Sequence, residues 1–265
     1  MSFLSNIMRS RAEAVAVSAE RPLVDLKPAL ITAAVMCVFF VGLRGYEQAF
    51  GWPTGADAFS GAYQLYWMTV LYIAVAAELL VFLGLISYLW TTRDLDVANV
   101  EPREETRRTF CLLGWLLLYG IAFYWGASYF SEQDATWHQA AVRDTSFTPV
   151  SIARYFIAYP IYIIMGAGGF MYARTRLPVF ACHGWSTAYV LLFVGPLMLL
   201  PCAAFNAWGS AVWIMEELFV GPLHWGFVFF GWFALAIFGV ALLIINRLGE
   251  LCAGFDDLFG GKAAE

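Results

Sequence analysis

Residues 109–138 read TFCLLGWLLLYGIAFYWGASYFSEQDATWH. From Thr109 to Tyr129 there is no charged side chain. An α-helix needs about 20 apolar residues to cross the hydrocarbon core of a bilayer, so this run predicts a membrane span. Asp134 and His138 follow it, four residues apart, a spacing that puts a carboxylate and an imidazole on one helix face. Such a pair suits a divalent copper or zinc ion. It equally suits a solvated patch at a membrane surface, with Trp137 as an interfacial aromatic. Two donors do not make a site, and the spacing alone favours the patch.

The rest of the chain has the same character. It is 61% hydrophobic and 18% aromatic but only 13% charged, with a mean hydropathy of +0.69. A soluble domain of 265 residues could not hide that much apolar surface, so several spans are expected. The net charge of −5 supplies no basic face for nucleic acid, and none is expected as a partner. Cys37, Cys111, Cys182, Cys202 and Cys252 lie in or beside apolar runs without CxxC spacing. That argues against a disulfide framework or a zinc ribbon and for small packing residues.

Six segments are long enough to cross: Pro28–Glu47, Tyr63–Trp90, Thr109–Tyr129, Ile152–Ala173, Trp185–Ala204 and Leu223–Asn246. The expected fold is an all-α, polytopic membrane bundle of about six spans. No apolar leader precedes the first span, and residues 2–17 are read as an amphipathic helix on the membrane surface. The chain then divides into an interfacial segment, 1–27, a membrane domain, 28–247, and a tail, 248–265. GWPTGADAFSG at 51–61 reads as a turn-rich outer loop. Residues 94–108 read as a polar inner loop, with 131–151 and 205–222 as further outer loops.

Placing both termini in the cytoplasm puts every one of the 15 basic residues inside except Arg44, Arg143 and Arg154. This is the one-sided bias of the positive-inside rule. Asp134, His138, Asn206, Ser210 and His224 then fall at the outer ends of spans three to six. Polar groups gathered at one depth in an apolar bundle suit a membrane-embedded site, or a wet outer rim.

Longer strings carry more information than this pair. SEQDATWHQ at 131–139, VRDTSFTP at 142–149, VEPREETRR at 100–108, YPIYIIMGAGGFMYARTRLP at 159–178 and MEELFVGPLHWGF at 215–227 resemble the C subunit of the copper-containing membrane monooxygenases. That family includes particulate methane monooxygenase and ammonia monooxygenase, and the resemblance runs in order from about Tyr46 to Trp232. It implies assembly with A and B subunits into a trimer of three-subunit protomers in a bacterial cytoplasmic or intracytoplasmic membrane. It also implies insertion of one oxygen atom from O2 into methane, a short alkane or ammonia. Electrons would come from a quinol or a protein donor.

The resemblance further implies two copper sites, and here each departs from the family pattern. One is an Asp, a His four residues on and a His thirteen beyond; Asp134 and His138 match, but Ser151 stands third. The other is Asn, His and His; Asn206 and His224 match, but Ser210 stands between them. A neutral hydroxyl is a weak copper ligand where imidazole is a favoured one. Asp134, His138, His224 and Asn206 remain, and pooled they would suit one copper ion, with zinc as the alternative. The competing reading is a structural subunit whose metal sites have decayed.

Other residues carry weaker signals. Cys202 offers a soft thiolate but suits packing better. His183 falls on the inner side, away from the other donors. Of Glu216 and Glu217, one at most could support a metal ligand, because neighbours on a helix point apart. Trp67, Trp115, Trp125, Trp208, Trp213 and Trp225 suit interfacial belts and packing, or the lining of an apolar path. Glu78 stands in the middle of span two, where a charge is costly without a partner. It suits an ion pair, with Arg44 as the candidate partner, or a protonated acid locking two helices, ahead of a proton relay.

Overall fold

The computed structural model describes residues 22–130, 148–182 and 234–253. These residues are helices joined by short connections, with no strand among them. Helix α1 spans Lys27–Gly55, with Pro28 in its first turn, where the missing N–H of proline costs nothing. Its buried residues Ala33, Met36, Phe40, Leu43, Glu47, Gly51 and Gly55 recur every three or four positions. They form a single stripe turned to the bundle.

The expected loop at 51–61 is shorter than its composition suggests. Helix α1 runs through Pro53 to Gly55. The Thr54 hydroxyl donates to the Phe50 carbonyl at 2.5 Å, and Gly55 lies directly under the ring of Pro149. A side chain at 55 would collide with that ring, so glycine here serves close packing rather than a turn.

Helix α2 covers Gly61–Thr91. Ser60 caps it, its hydroxyl accepting the Tyr63 N–H at 3.1 Å, as short polar residues do at helix starts. Helix α3 covers Pro102–Phe123 and continues through a π-helical turn, Tyr124–Tyr129. Residues 102–108, read above as part of a polar loop, are its first two turns. Glu104 and Glu105 occupy the first turn, where acidic side chains complement the helix dipole. Helix α4 covers Pro149–Arg176, with Arg174 and Arg176 in its last turn, the matching preference at a C-terminus. A short helix α5, Pro178–Cys182, and helix α6, Ala234–Ala253, complete the described elements.

Helices α3 and α4 form the centre and make the most extensive contact; α2 packs on α4, while α1 and α6 pack on α3. Small residues permit the central contact. A Cβ on Gly168 would stand 2.6 Å from the Trp115 ring and 3.0 Å from Leu85, and one on Gly166 would stand 3.0 Å from Tyr119. The glycines of GAGG at 166–169 are where aromatic side chains of α3 lie against α4, a common device where helices meet in a membrane.

Four helices among the described residues, α1 to α4, are long and apolar enough to cross a membrane. Together with the all-helical architecture, they define a polytopic membrane bundle. Expected spans 185–204 and the first part of 223–246 lie outside the described residues, as does the surface helix at 2–17.

One end of the bundle is tied by charge. Glu104 accepts from Arg107 at 2.5 and 2.7 Å and from Arg108 at 2.9 Å. Arg108 also reaches Asp94 at 2.7 Å and the Arg176 carbonyl at 2.9 Å. Arg176 donates to the Leu89 carbonyl and the Thr92 hydroxyl, so the ends of α2, α3 and α4 are stitched together. The string VEPREETRR is thus the start of a helix and the centre of an ion-pair network.

Candidate functional site at the π-helical end

The opposite end of the bundle holds three π-helical turns among the described residues: Gln64–Met68 in α2, Tyr124–Tyr129 after α3, and Arg154–Ala158 in α4. In each, an N–H reaches back five residues: Thr69 to Gln64, Phe130 to Trp125 and Tyr159 to Arg154. Such turns insert a residue into the helix, re-aim the side chains around it and concentrate at functional sites. The turn in α4 has a local cause. Pro160 has no N–H to offer and its ring crowds the preceding turn, which an α-helix relieves by widening there.

The π turns of α3 and α4 touch each other, and that of α4 touches α2. Aromatic rings fill the space around them. Phe40 stacks on Trp125 at 5.4 Å, and Phe123 meets Tyr162 edge-on at 5.5 Å. Trp67 is fully buried and donates its indole N–H to the Thr54 hydroxyl at 2.9 Å. Tyr46 donates to the Tyr66 carbonyl at 2.8 Å, a group in the π turn of α2. An apolar groove of about 550 Å³ opens between α1, α3 and α6 beside this end. It is lined by Cys37, Leu116, Leu117, Tyr124, Trp125 and Ala241.

The start of α4 brings polar groups into this apolar surrounding. Thr148 caps the helix, accepting the Ser151 N–H at 3.1 Å, and its hydroxyl lies 3.0 Å from the Ser151 hydroxyl. Both residues are buried. The sequence signal was present, since Thr followed by Pro is a strong helix start. Three residues on, Arg154 is fully buried. It donates from Nε to the Tyr159 hydroxyl at 2.7 Å, and its guanidinium lies over the Tyr155 and Tyr159 rings at 4.8 and 5.4 Å. The sequence puts Arg154 at the outer end of a span, and nothing in the string RYFIAYP reveals that tyrosines will wrap the guanidinium.

Of the residues implicated in metal binding, Ser151 alone lies among the described residues. Asp134, His138, Asn206, Ser210 and His224 lie outside them, as do Cys202, His183, Glu216 and Glu217. The described residues hold no group of three His, Cys, Asp or Glu able to bind a metal ion. Ser151 does not fit a copper donor: its hydroxyl is a neutral oxygen already engaged with Thr148. The surviving set fits copper by its chemistry, with two imidazoles, a carboxylate and an amide.

Glu78 and Arg44 are not paired. Arg44 contacts Glu47 at 3.4 Å, one turn along its own helix. Glu47 is buried on the inner stripe of α1, so the nearer acid takes the cation.

A polytopic helical membrane protein with buried polar groups walled by aromatic rings at one end is the class these observations define. The family model for the C subunit of ammonia monooxygenase/methane monooxygenase matches residues 9–254, and the chain belongs to that family. It is thereby a membrane subunit of a multisubunit monooxygenase complex. A search among curated proteins finds no match.

Proposed function

We propose that this chain is the C subunit of a copper-dependent complex that inserts one oxygen atom from O2 into ammonia, methane or a short alkane. The observation that carries this reading is the family match across residues 9–254. In this reading Asp134, His138 and His224 hold one copper ion, with Asn206 as a weak fourth donor or a hydrogen-bonding neighbour. Copper bound there in its reduced state would supply the activation of O2.

The chain's own residues supply the surroundings. The rings of Phe40, Trp125, Phe123 and Tyr162 exclude water from the π-helical end, and the Tyr124–Trp125 groove offers an apolar approach from the bilayer. Arg154 adds a fixed positive charge held by tyrosines. Partners in this reading are A and B subunits in a trimer of protomers, and a quinol or protein electron donor. The setting is a bacterial cytoplasmic or intracytoplasmic membrane, with both termini inside.

A second reading, a structural subunit without a metal of its own, is favoured by one observation: the Ser151 hydroxyl is engaged with Thr148. The test is incorporation of ¹⁸O from ¹⁸O2 into product by the purified complex. His138→Ala and His224→Ala should each abolish incorporation while the complex stays assembled. Full incorporation by both variants would leave the structural reading standing.

A further inference from the structure

Glu78 lies on the stripe of α2 that holds Trp67, Leu71, Ala74, Leu85 and Leu89, and Leu85 on that stripe lies against Gly168 of α4. It is half-buried, and its Oε1 is closed off from solvent with no hydrogen-bond partner among the described residues. Arg44, the cation that might have met it, is held by Glu47. The carboxyl therefore stands at the lip of the α2–α4 seam, deep within a span, where an acid without a donor is costly. The helix around it is the barest of the four spans: 6% of its most apolar window is buried, against 61% for α4. Leu80 is 71% exposed, and a Cβ on Gly84 would meet nothing within 4 Å. Lipid can cover leucines, but it cannot satisfy a carboxyl.

We propose that Glu78 and the bare face of α2 beside it form the docking surface for a transmembrane helix of a different subunit, one that brings a lysine or arginine to the carboxyl. An acid at this depth calls for a cation. Residues 183–233, which hold the expected fifth span and the start of the sixth, carry no lysine or arginine, so the cation comes from another subunit; Ala77 and Gly84 leave room for a close helix. The inference rests on the proposed assembly with A and B subunits.

The test uses the whole complex, with a photo-crosslinking amino acid in place of Ala77, which is exposed and adjacent to Glu78. Illumination should give an adduct with a different subunit. Glu78→Gln should lower its yield about tenfold, less than the loss of one partner from a fully buried charge pair brings, because Glu78 is half-buried. Glu78→Asp should retain most of it, and gel filtration of each variant checks that the chain is still folded. An adduct confined to lipid, to a second copy of this chain or to this chain's own residues would overturn the proposal, as would an undiminished adduct in Glu78→Gln. If other subunits co-purify but none is crosslinked, the docking surface fails and the functional reading stands. If no other subunit co-purifies, both fail.

Discussion

Glu105 of α3 and Arg247 of α6 meet side on, with Arg247 Nε 2.7 Å and Nη2 2.9 Å from the two carboxylate oxygens. This fork ties residues 142 positions apart and fixes α6 against the centre of the bundle. Glu105 is nearly closed off at 4% side-chain exposure, while Arg247 keeps 31% and also reaches Glu250. Glu105→Gln should therefore destabilise the protein by about 2–3 kcal/mol, below the 3–5 of a fully buried pair because Arg247 remains partly wet. Arg247→Lys should also destabilise, since an ammonium cannot reproduce the fork. Thermal unfolding of the complex in detergent measures both; a neutral Glu105→Gln would show that the pair is incidental.

The contact between Gly168 and Trp115 gives a steric prediction. A methyl at 168 would sit 2.6 and 2.8 Å from Cζ3 and Cη2 of the indole. A packed aromatic ring gives way poorly, so Gly168→Ala should cost about 1–3 kcal/mol by overpacking. Both crowded atoms belong to the outer edge of the indole, and phenylalanine is shorter there. In a double-mutant cycle, Trp115→Phe should recover part of the loss. Strict additivity of the two changes would contradict the account of why glycine stands at 168.

The side of the membrane on which each end of the bundle lies is an expectation from Arg and Lys distribution. A cysteine at 57, between α1 and α2, should react with an impermeant maleimide added from outside, and a cysteine at 98, between α2 and α3, should not. Reaction at 98 alone would invert the arrangement.

Much of the bundle was legible because a span is a crude signal: a long apolar run has few alternatives in a membrane protein. The ends were less so. GWPTG at 51–55 has the composition of a turn, yet the helix persists, since packing of Gly55 against Pro149 outweighs local preference. PREETRR looks like a wet loop, yet its charges neutralise each other at three- and four-residue spacing along a helix and across to Asp94, beyond the end of α2, and Arg247 of α6. The π turn of α4 had a trace in Pro160, while those at 64–68 and 124–129 had no comparable residue to announce them. Arg44 was expected near Glu78 because both lie in spans; one helical turn to Glu47 is simply the shorter reach. Ser151 was legible as a departure from the family pattern, but its hydroxyl partner was visible only once Thr148 was seen as the helix cap. The donors Asp134, His138, Asn206 and His224 rest on the family pattern and the chemistry of their side chains, and lie outside the described residues.

Copper content of the purified complex, measured by mass spectrometry against protein concentration, tests the pooled donor set most directly. The native complex should lose one copper per protomer on His138→Ala and one on His224→Ala, and the double variant should lose no more than either alone, because both imidazoles serve a single ion. Ser151→Ala should leave the content unchanged, since that hydroxyl is engaged with Thr148 and holds no metal. Losses from the two histidine variants that add in the double variant would mean two separate sites. Unchanged copper in all three histidine variants would mean that this chain holds none, and would contradict the account.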